Sequence, residues 1–210
     1  MTHSSHRQGT VDSLKNDYTF IVRAVKREGF LPDLEKVLDI MLSEEPVNMG
    51  SSSSGKCTAA GLETKDLRAA LDKNLRFVCT FSKKDKIPRV LRKLKDADAG
   101  IPVTIGGLIE EIVGMSKEAG LKPHTANISV GLFGKKKSLL PEYKILCLTT
   151  MCGHGMVSAR LSESVAEKVK SGKLAPEEGA YLLAKNCPCG LVNLDRCEDL
   201  FGLNEEDGLP

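Results

Sequence analysis

Four of the seven cysteines of this 210-residue chain fall in its last sixty residues, as Met151-Cys152-Gly153-His154-Gly155, then Cys187-Pro188-Cys189, then Cys197. A chain that gathers thiols in this way must fold its C-terminal part around metal binding, thiol chemistry or disulfides. An odd cysteine count resists a complete disulfide framework. The stretch from Met1 to Gln8 has no apolar run of the kind a signal peptide carries, and nothing approaches the roughly 18 apolar residues of a membrane helix. No membrane association is expected, and the expected compartment is the cytoplasm, where disulfides are rare. Metal or thiolate chemistry is favoured by both arguments.

The rest of the composition narrows the partners. Trp is absent and aromatic residues make up only 4%, so aliphatic side chains must build the core and few rings are available to stack on bases. The formal charge of +2 is too small to imply nucleic acid or an anionic membrane. Lys83, Lys84, Lys86, Arg89, Arg92, Lys93 and Lys95 form one basic stretch and Lys135-Lys136-Lys137 another, which read as solvated faces diluted by Asp85, Asp96 and Asp98.

Three zones follow from the patterning: a helical N-terminal arm with a Gly/Ser linker (1–75), an α/β core (76–150) and a Cys-rich helical metal-binding zone (151–210). In the arm, Val11, Leu14, Tyr18, Ile21, Val22 and Val25 fall at helical spacing, with Gly29 as the stop. A second helix starts near Pro32 and carries Leu34, Val37, Leu38 and Met41; Thr64 opens a third. In the middle zone, 77–81, 101–105, 126–133 and 144–150 read as strands, with helices around Ile87–Asp96 and from Ile109 to Met115. This predicts an α/β or α+β fold: a small four-stranded mixed sheet with some parallel pairing, covering helices, a helical N-terminal arm and a Cys-bearing helical C-terminal zone. In that last zone Val157, Leu161, Val165 and Val169 mark a helix, Pro176-Glu177-Glu178 opens another, and Asn193 caps a third.

The thiol-bearing segments carry the functional expectation. Cys152 is placed at the end of the strand 144–150, just before a helix. Gly153 and Gly155 then allow close approach of a bound group, and N–H groups at the helix start favour a thiolate or anion. Cys187-Pro188-Cys189-Gly190 holds two sulfurs in a restricted geometry suited to a soft metal or an iron–sulfur cluster. Cys152, Cys187 and Cys189 thus supply three ligands, and Cys197, Cys147 or His154 the fourth. Cys197 is eight residues beyond Cys189 and is taken as the metal ligand of choice; Cys147 and Cys79 read as core. Only one close cysteine pair exists, whereas structural zinc commonly draws on two, so an iron–sulfur cluster, 4Fe–4S in type, is expected ahead of zinc. The function expected is redox or Lewis-acid chemistry at that centre, with a protein partner or a homo-oligomer. The alternatives are a metal-free thiol enzyme, with His154 as acid–base catalyst beside Cys152, and a zinc-stabilised interaction module.

Residues 151–155 also resemble the short cysteine-glycine-histidine motif of the proline racemase family. That resemblance covers five residues. It implies Cys152 as one acid–base thiol acting at an α-carbon, with Cys187 or Cys189 as the other. Residues 50–57, Gly-Ser-Ser-Ser-Ser-Gly-Lys-Cys, nearly spell a phosphate-binding loop, but Cys57 stands where a magnesium-binding hydroxyl is needed and a helical pattern precedes it; a flexible linker is the expected reading. His124 is expected in a turn, and His3 and His6 in an unstructured terminus.

Overall fold

A computed structural model describes residues 6–51, 53–129 and 137–203. Its strands are β1 (Tyr18–Arg23), β2 (Asn48–Gly50), β3 (Arg76–Phe81) and β4 (Val103–Gly106). Its α-helices are α1 (Val11–Leu14), α2 (Phe30–Leu42), α3 (Thr64–Ala69), α4 (Leu71–Asn74), α5 (Lys86–Ala97), α6 (Ile109–Glu118), α7 (Tyr143–Thr150), α8 (Ala159–Lys170), α9 (Pro176–Ala184) and α10 (Leu194–Gly202). The fold is α+β. Among the described residues no helix is long and apolar enough to cross a membrane.

The four strands form one sheet in the order β2-β3-β1-β4, and every neighbouring pair is antiparallel. Among the described residues the expected parallel pairing is absent, for a topological reason. β1-α2-β2 and β3-α5-β4 are each helical crossovers between strands of like direction, but each unit inserts a strand of the other between its own two. The result is a split βαβ arrangement, in which parallel strands exist but never touch.

Helices α2, α5 and α6 lie where their apolar spacing puts them. Two expected elements change type. The pattern read as a helix from Val11 to Val25 yields only the single turn α1 before β1. Residues 18–22 (Tyr-Thr-Phe-Ile-Val) are β-branched or aromatic, and β1 is buried on both faces, so no two-residue alternation shows. Gly29, expected to stop that helix, instead caps the start of α2 with φ 73°. The strand expected at 144–150 is α7. Ile145 and Leu148 fall one turn apart on its buried side, and the Thr149 and Thr150 hydroxyls donate to the Leu146 carbonyl, 3.2 Å and 2.7 Å away. The strand expected at 126–133 has no regular structure through Ser129, and its remainder lies outside the described residues.

The sheet separates two cores. Tyr18, Phe20 and Val22 of β1 and Phe77, Cys79 and Phe81 of β3 face one side, with Leu34, Leu38 and Met41 of α2 and Ile87, Val90 and Leu91 of α5 over them. Phe20 and Phe81 meet edge to face at 5.5 Å. Ile21 and Val78 alternate to the other side and join a second core built from α7–α10 and the cysteine loops. The cysteine-bearing segment is therefore the second layer of the fold, and the site lies within it.

Candidate metal centre

Two arms carry the candidate ligands. The first is the turn that follows α7. Cys152 follows a helix rather than a strand, and the His154 N–H donates to the Cys152 carbonyl at 2.6 Å, with Gly153 at φ 60° and Gly155 at φ 69°. The next helix, α8, begins only at Ala159, capped by the Ser158 hydroxyl. Its N-terminus is therefore not what faces the Cys152 sulfur, as the sequence had suggested. The N–H groups of His154 and Met156, in the turn itself, do so instead.

The second arm joins α9 to α10. The Cys187 N–H donates to the Ala184 carbonyl at 2.8 Å, and the Gly190 N–H to the Cys187 carbonyl at 3.1 Å, which curls the Cys-Pro-Cys-Gly segment into a single turn. This turn is seated directly on β2. A Cβ at Gly190, which sits at φ 79°, would overlap the Met49 backbone, and one at Gly50 would come within 2.6 Å of the Pro188 carbonyl oxygen. Neither glycine can carry a side chain without lifting the turn off the sheet.

The two arms converge at their sulfurs. The Cys187 and Cys189 Sγ atoms are 3.5 Å apart, and Cys189 Sγ is 3.6 Å from His154 Nδ1. Cys152 lies near enough to Cys187 for each thiol to shift the ionisation of the other, which brings the first arm to the second. All three cysteines are buried, while His154 lies on the solvent side of the group. Among the described residues no group of three or more Cys, His, Asp or Glu side chains is placed so that it could hold a metal ion. Two separations come near those within a tetrahedral metal site, the sulfur–sulfur one shorter by about 0.3 Å. Bonds of about 2.3 Å to sulfur and about 2.0–2.1 Å to nitrogen give tetrahedral edges of about 3.8 Å (S–S) and about 3.6 Å (S–N).

The protons on this group are shared unequally. Cys189 is held below the ordinary thiol value by its hydrogen bond with Cys187, against the effect of burial, and the Leu191 N–H assists. Cys187 is pushed up to about 12: its hydrogen bond with Cys152 lowers it, but that with Cys189 and burial outweigh this. Cys152 is raised by its hydrogen bond with Cys187 and by burial. Cys189 is thus the first thiol of the group to ionise, and a bound cation would have to displace the remaining protons.

The other cysteines serve elsewhere. Cys197 is fully buried in α10, where burial raises its thiol among the charges of Arg196, Asp17 and Arg7; among the described residues it makes no hydrogen bond to another thiol. Cys147 is buried in α7 and hydrogen-bonds with Tyr143, and Cys79 lies in the core on the far side of the sheet. Cys57 packs beneath α9, its thiol donating to the Ala184 carbonyl at 3.4 Å. The segment around it is no phosphate loop. The short strand β2, not the expected helix, does precede it, but only the 3-10 turn Thr58–Ala60 follows where a phosphate loop would open a helix, and Gly50 and Cys57 bridge antiparallel. His124 is exposed, and His6 meets Ser129 at 3.1 Å. The basic stretch around α5 is largely neutralised: Lys84 pairs with Glu111, Arg89 and Lys93 with Glu44, and Lys86 with Glu45.

What holds the second arm in place escaped the sequence reading. Asn48 Nδ2 of β2 donates to the Val192 carbonyl at 3.0 Å, and the Thr80 hydroxyl of β3 to those of Gly190 and Leu191 at 3.1 Å and 3.3 Å. Asp17 lies between Arg7 and Arg196, 2.6 Å and 2.7 Å away, all three almost wholly buried. One signal was available. Arg196 stands in the first turn of a helix capped by Asn193, where the dipole disfavours a cation, so it must be held by something else. No family model, curated protein or solved structure matches the chain.

Proposed function

We propose that this is a metal-centre protein in which one zinc ion, held by Cys152, Cys187, Cys189 and His154, ties the two arms of the C-terminal layer together. The observation that carries the reading is the pair of separations, 3.5 Å between Cys187 and Cys189 and 3.6 Å from Cys189 to His154, which fit two edges of one tetrahedron. The donor set is chemically apt, with soft thiolates and an imidazole, and backbone N–H groups aimed at the sulfurs to stabilise their charge. An iron–sulfur cluster would use the same thiolates. In a cubane, however, each cysteine goes to its own iron, and ligand sulfurs stand farther apart than one tetrahedral edge. The 3.5 Å contact therefore favours a single ion.

Four protein ligands leave no coordination position for a substrate, which makes the centre structural. The protein is then a binding module, whose counterpart is a protein partner or a second copy of the chain. A reducing compartment such as the cytoplasm suits seven free thiols. Metal analysis of protein purified without oxygen tests the reading. One zinc per chain with no visible absorbance is expected, abolished by Cys187→Ser or Cys189→Ser and retained by Cys197→Ser. Iron with acid-labile sulfide would replace zinc by a cluster, and a metal-free protein that binds no added zinc would end the proposal.

A further inference from the structure

The segment before β1 reaches both arms of the site. On one side, the Gln8 N–H donates to Thr150 Oγ1 at 3.0 Å, at the end of α7 and two residues before Cys152. On the other, Arg7 Nη2 donates to the Leu191 carbonyl, and the N–H of that same residue faces the Cys187 and Cys189 sulfurs. Adjacent residues thus bind the two arms from outside the thiol group.

These contacts are themselves anchored. Arg7 Nη1 meets both Asp17 carboxylate oxygens at 2.6 Å. Arg196 Nη1 holds Asp17 Oδ2 at 2.7 Å, and its Nη2 donates to the Gln8 carbonyl at 2.5 Å. Asn193 Nδ2 donates to the Asn16 carbonyl at 2.8 Å. Gly9 lies so close to Arg196 that a Cβ there would overlap the guanidinium. A guanidinium and a carboxylate buried this deeply are tolerated only while paired, so the segment docks as a unit and not contact by contact.

We propose that residues 7–17 form a strap that sets the separation of the two ligand-bearing arms, with Arg7 as a positioning residue of the metal centre. This rests on the zinc reading above. The Arg7 guanidinium serves Asp17 and the Leu191 carbonyl with separate nitrogens. Lysine would bring a single ammonium that cannot reproduce this fork. The strap therefore acts on the centre from the outer shell, through the Leu191 peptide and Thr150, without touching the metal.

The test compares release of zinc to a chromophoric chelator, and the visible bands of the cobalt(II) form, in the full-length chain and four variants. Arg7→Lys and Gln8→Pro, the latter removing the N–H that reaches Thr150 together with the Gln8 side chain and the freedom of φ there, are expected to bind one zinc but release it about 10- to 100-fold faster, with altered cobalt bands. Arg7→Met is expected to do the same or more. Phe20→Ala, which weakens the opposite core, is expected to release zinc as the wild type does. Wild-type release rates and cobalt bands in both Arg7→Lys and Gln8→Pro would overturn the strap and leave the zinc reading intact. Equal acceleration in Phe20→Ala would show that release runs through global unfolding, and would also overturn it. Failure of the wild type to bind zinc or cobalt at all would overturn the zinc reading itself.

Discussion

The sheet buries side chains on both faces, but the two faces are closed by different means. Under α2 and α5, Phe20, Phe77 and Phe81 meet Leu34, Leu38, Met41, Ile87 and Val90, and apolar packing dominates, with the Arg89 and Lys93 pairs to Glu44 at its edge. Under the C-terminal layer, Ile21 and Val78 meet a core that includes Cys152, Cys187 and Cys189, and side chains of Asn48, Thr80 and Arg7 bind its loop backbone. The first layer is held mainly by non-directional burial. The second depends on directed bonds between residues far apart in the chain, so its parts must arrive together. A fold can therefore keep its first layer when its second is undone.

Chelation should separate the two most widely. If zinc closes the second layer, saturation a thousandfold above Kd adds about 4 kcal/mol. Its removal should lower Tm and deprotect amides of α7–α10 in hydrogen exchange before those of β1 and β3. Simultaneous loss of protection in both layers would make them one cooperative unit.

Two substitutions of comparable cost should then act on opposite layers. Phe20→Ala opens a cavity in the first core and should cost about 3–5 kcal/mol without changing zinc stoichiometry. Asp17→Asn leaves Arg7 and Arg196 buried without their counter-charge and should also cost about 3–5 kcal/mol, but with weakened metal binding. Denaturant titration paired with metal analysis distinguishes them.

The same aspartate should give the second layer its own acid sensitivity. Burial alone would raise Asp17, but the charges of Arg7 and Arg196 and the hydrogen bonds from Asn193 and Arg7 hold it below the ordinary carboxylate value. A depressed carboxyl stabilises the fold fully above its unfolded value near pH 4 and stops doing so as pH falls through the lower folded value. Acid unfolding of apo protein, where no metal ligand competes, should lose this component in Asp17→Asn while Phe20→Ala retains it.

The smallest effect is expected outside both layers. Arg92 is exposed on α5, and Arg92→Ala should change stability by no more than about 0.5 kcal/mol and leave metal binding untouched. A larger change, read by the same titration, would give the basic face a role beyond solvation.

The contrast between layers also explains what the chain disclosed in advance. The spacing of Leu34, Val37, Leu38 and Met41, and of Ile87, Val90 and Leu91, predicted α2 and α5 because each helix presents one buried face to one apolar layer. The alternation lost in β1 was lost because that strand serves both layers. α7 was hidden by its Ile and Thr residues, whose strand preference gives way to the burial of Ile145, Cys147 and Leu148 in the second core. At the site, clustering predicted that Cys152, Cys187 and Cys189 belong together, and local glycines marked the turns. Clustering could not show that Cys197 lies beside the buried Asp17–Arg196 pair, which is formed between residues 179 apart in sequence. No local pattern records such a pairing.

Zinc-edge X-ray absorption of the protein as purified tests the central claim most directly. A first shell of three sulfurs at about 2.3 Å and one nitrogen at about 2.0–2.1 Å is the expected result, and the nitrogen should be lost in His154→Ala. A shell of oxygen and nitrogen alone, or an iron edge with a short iron–iron distance in place of zinc, would contradict a single zinc ion joining the two arms.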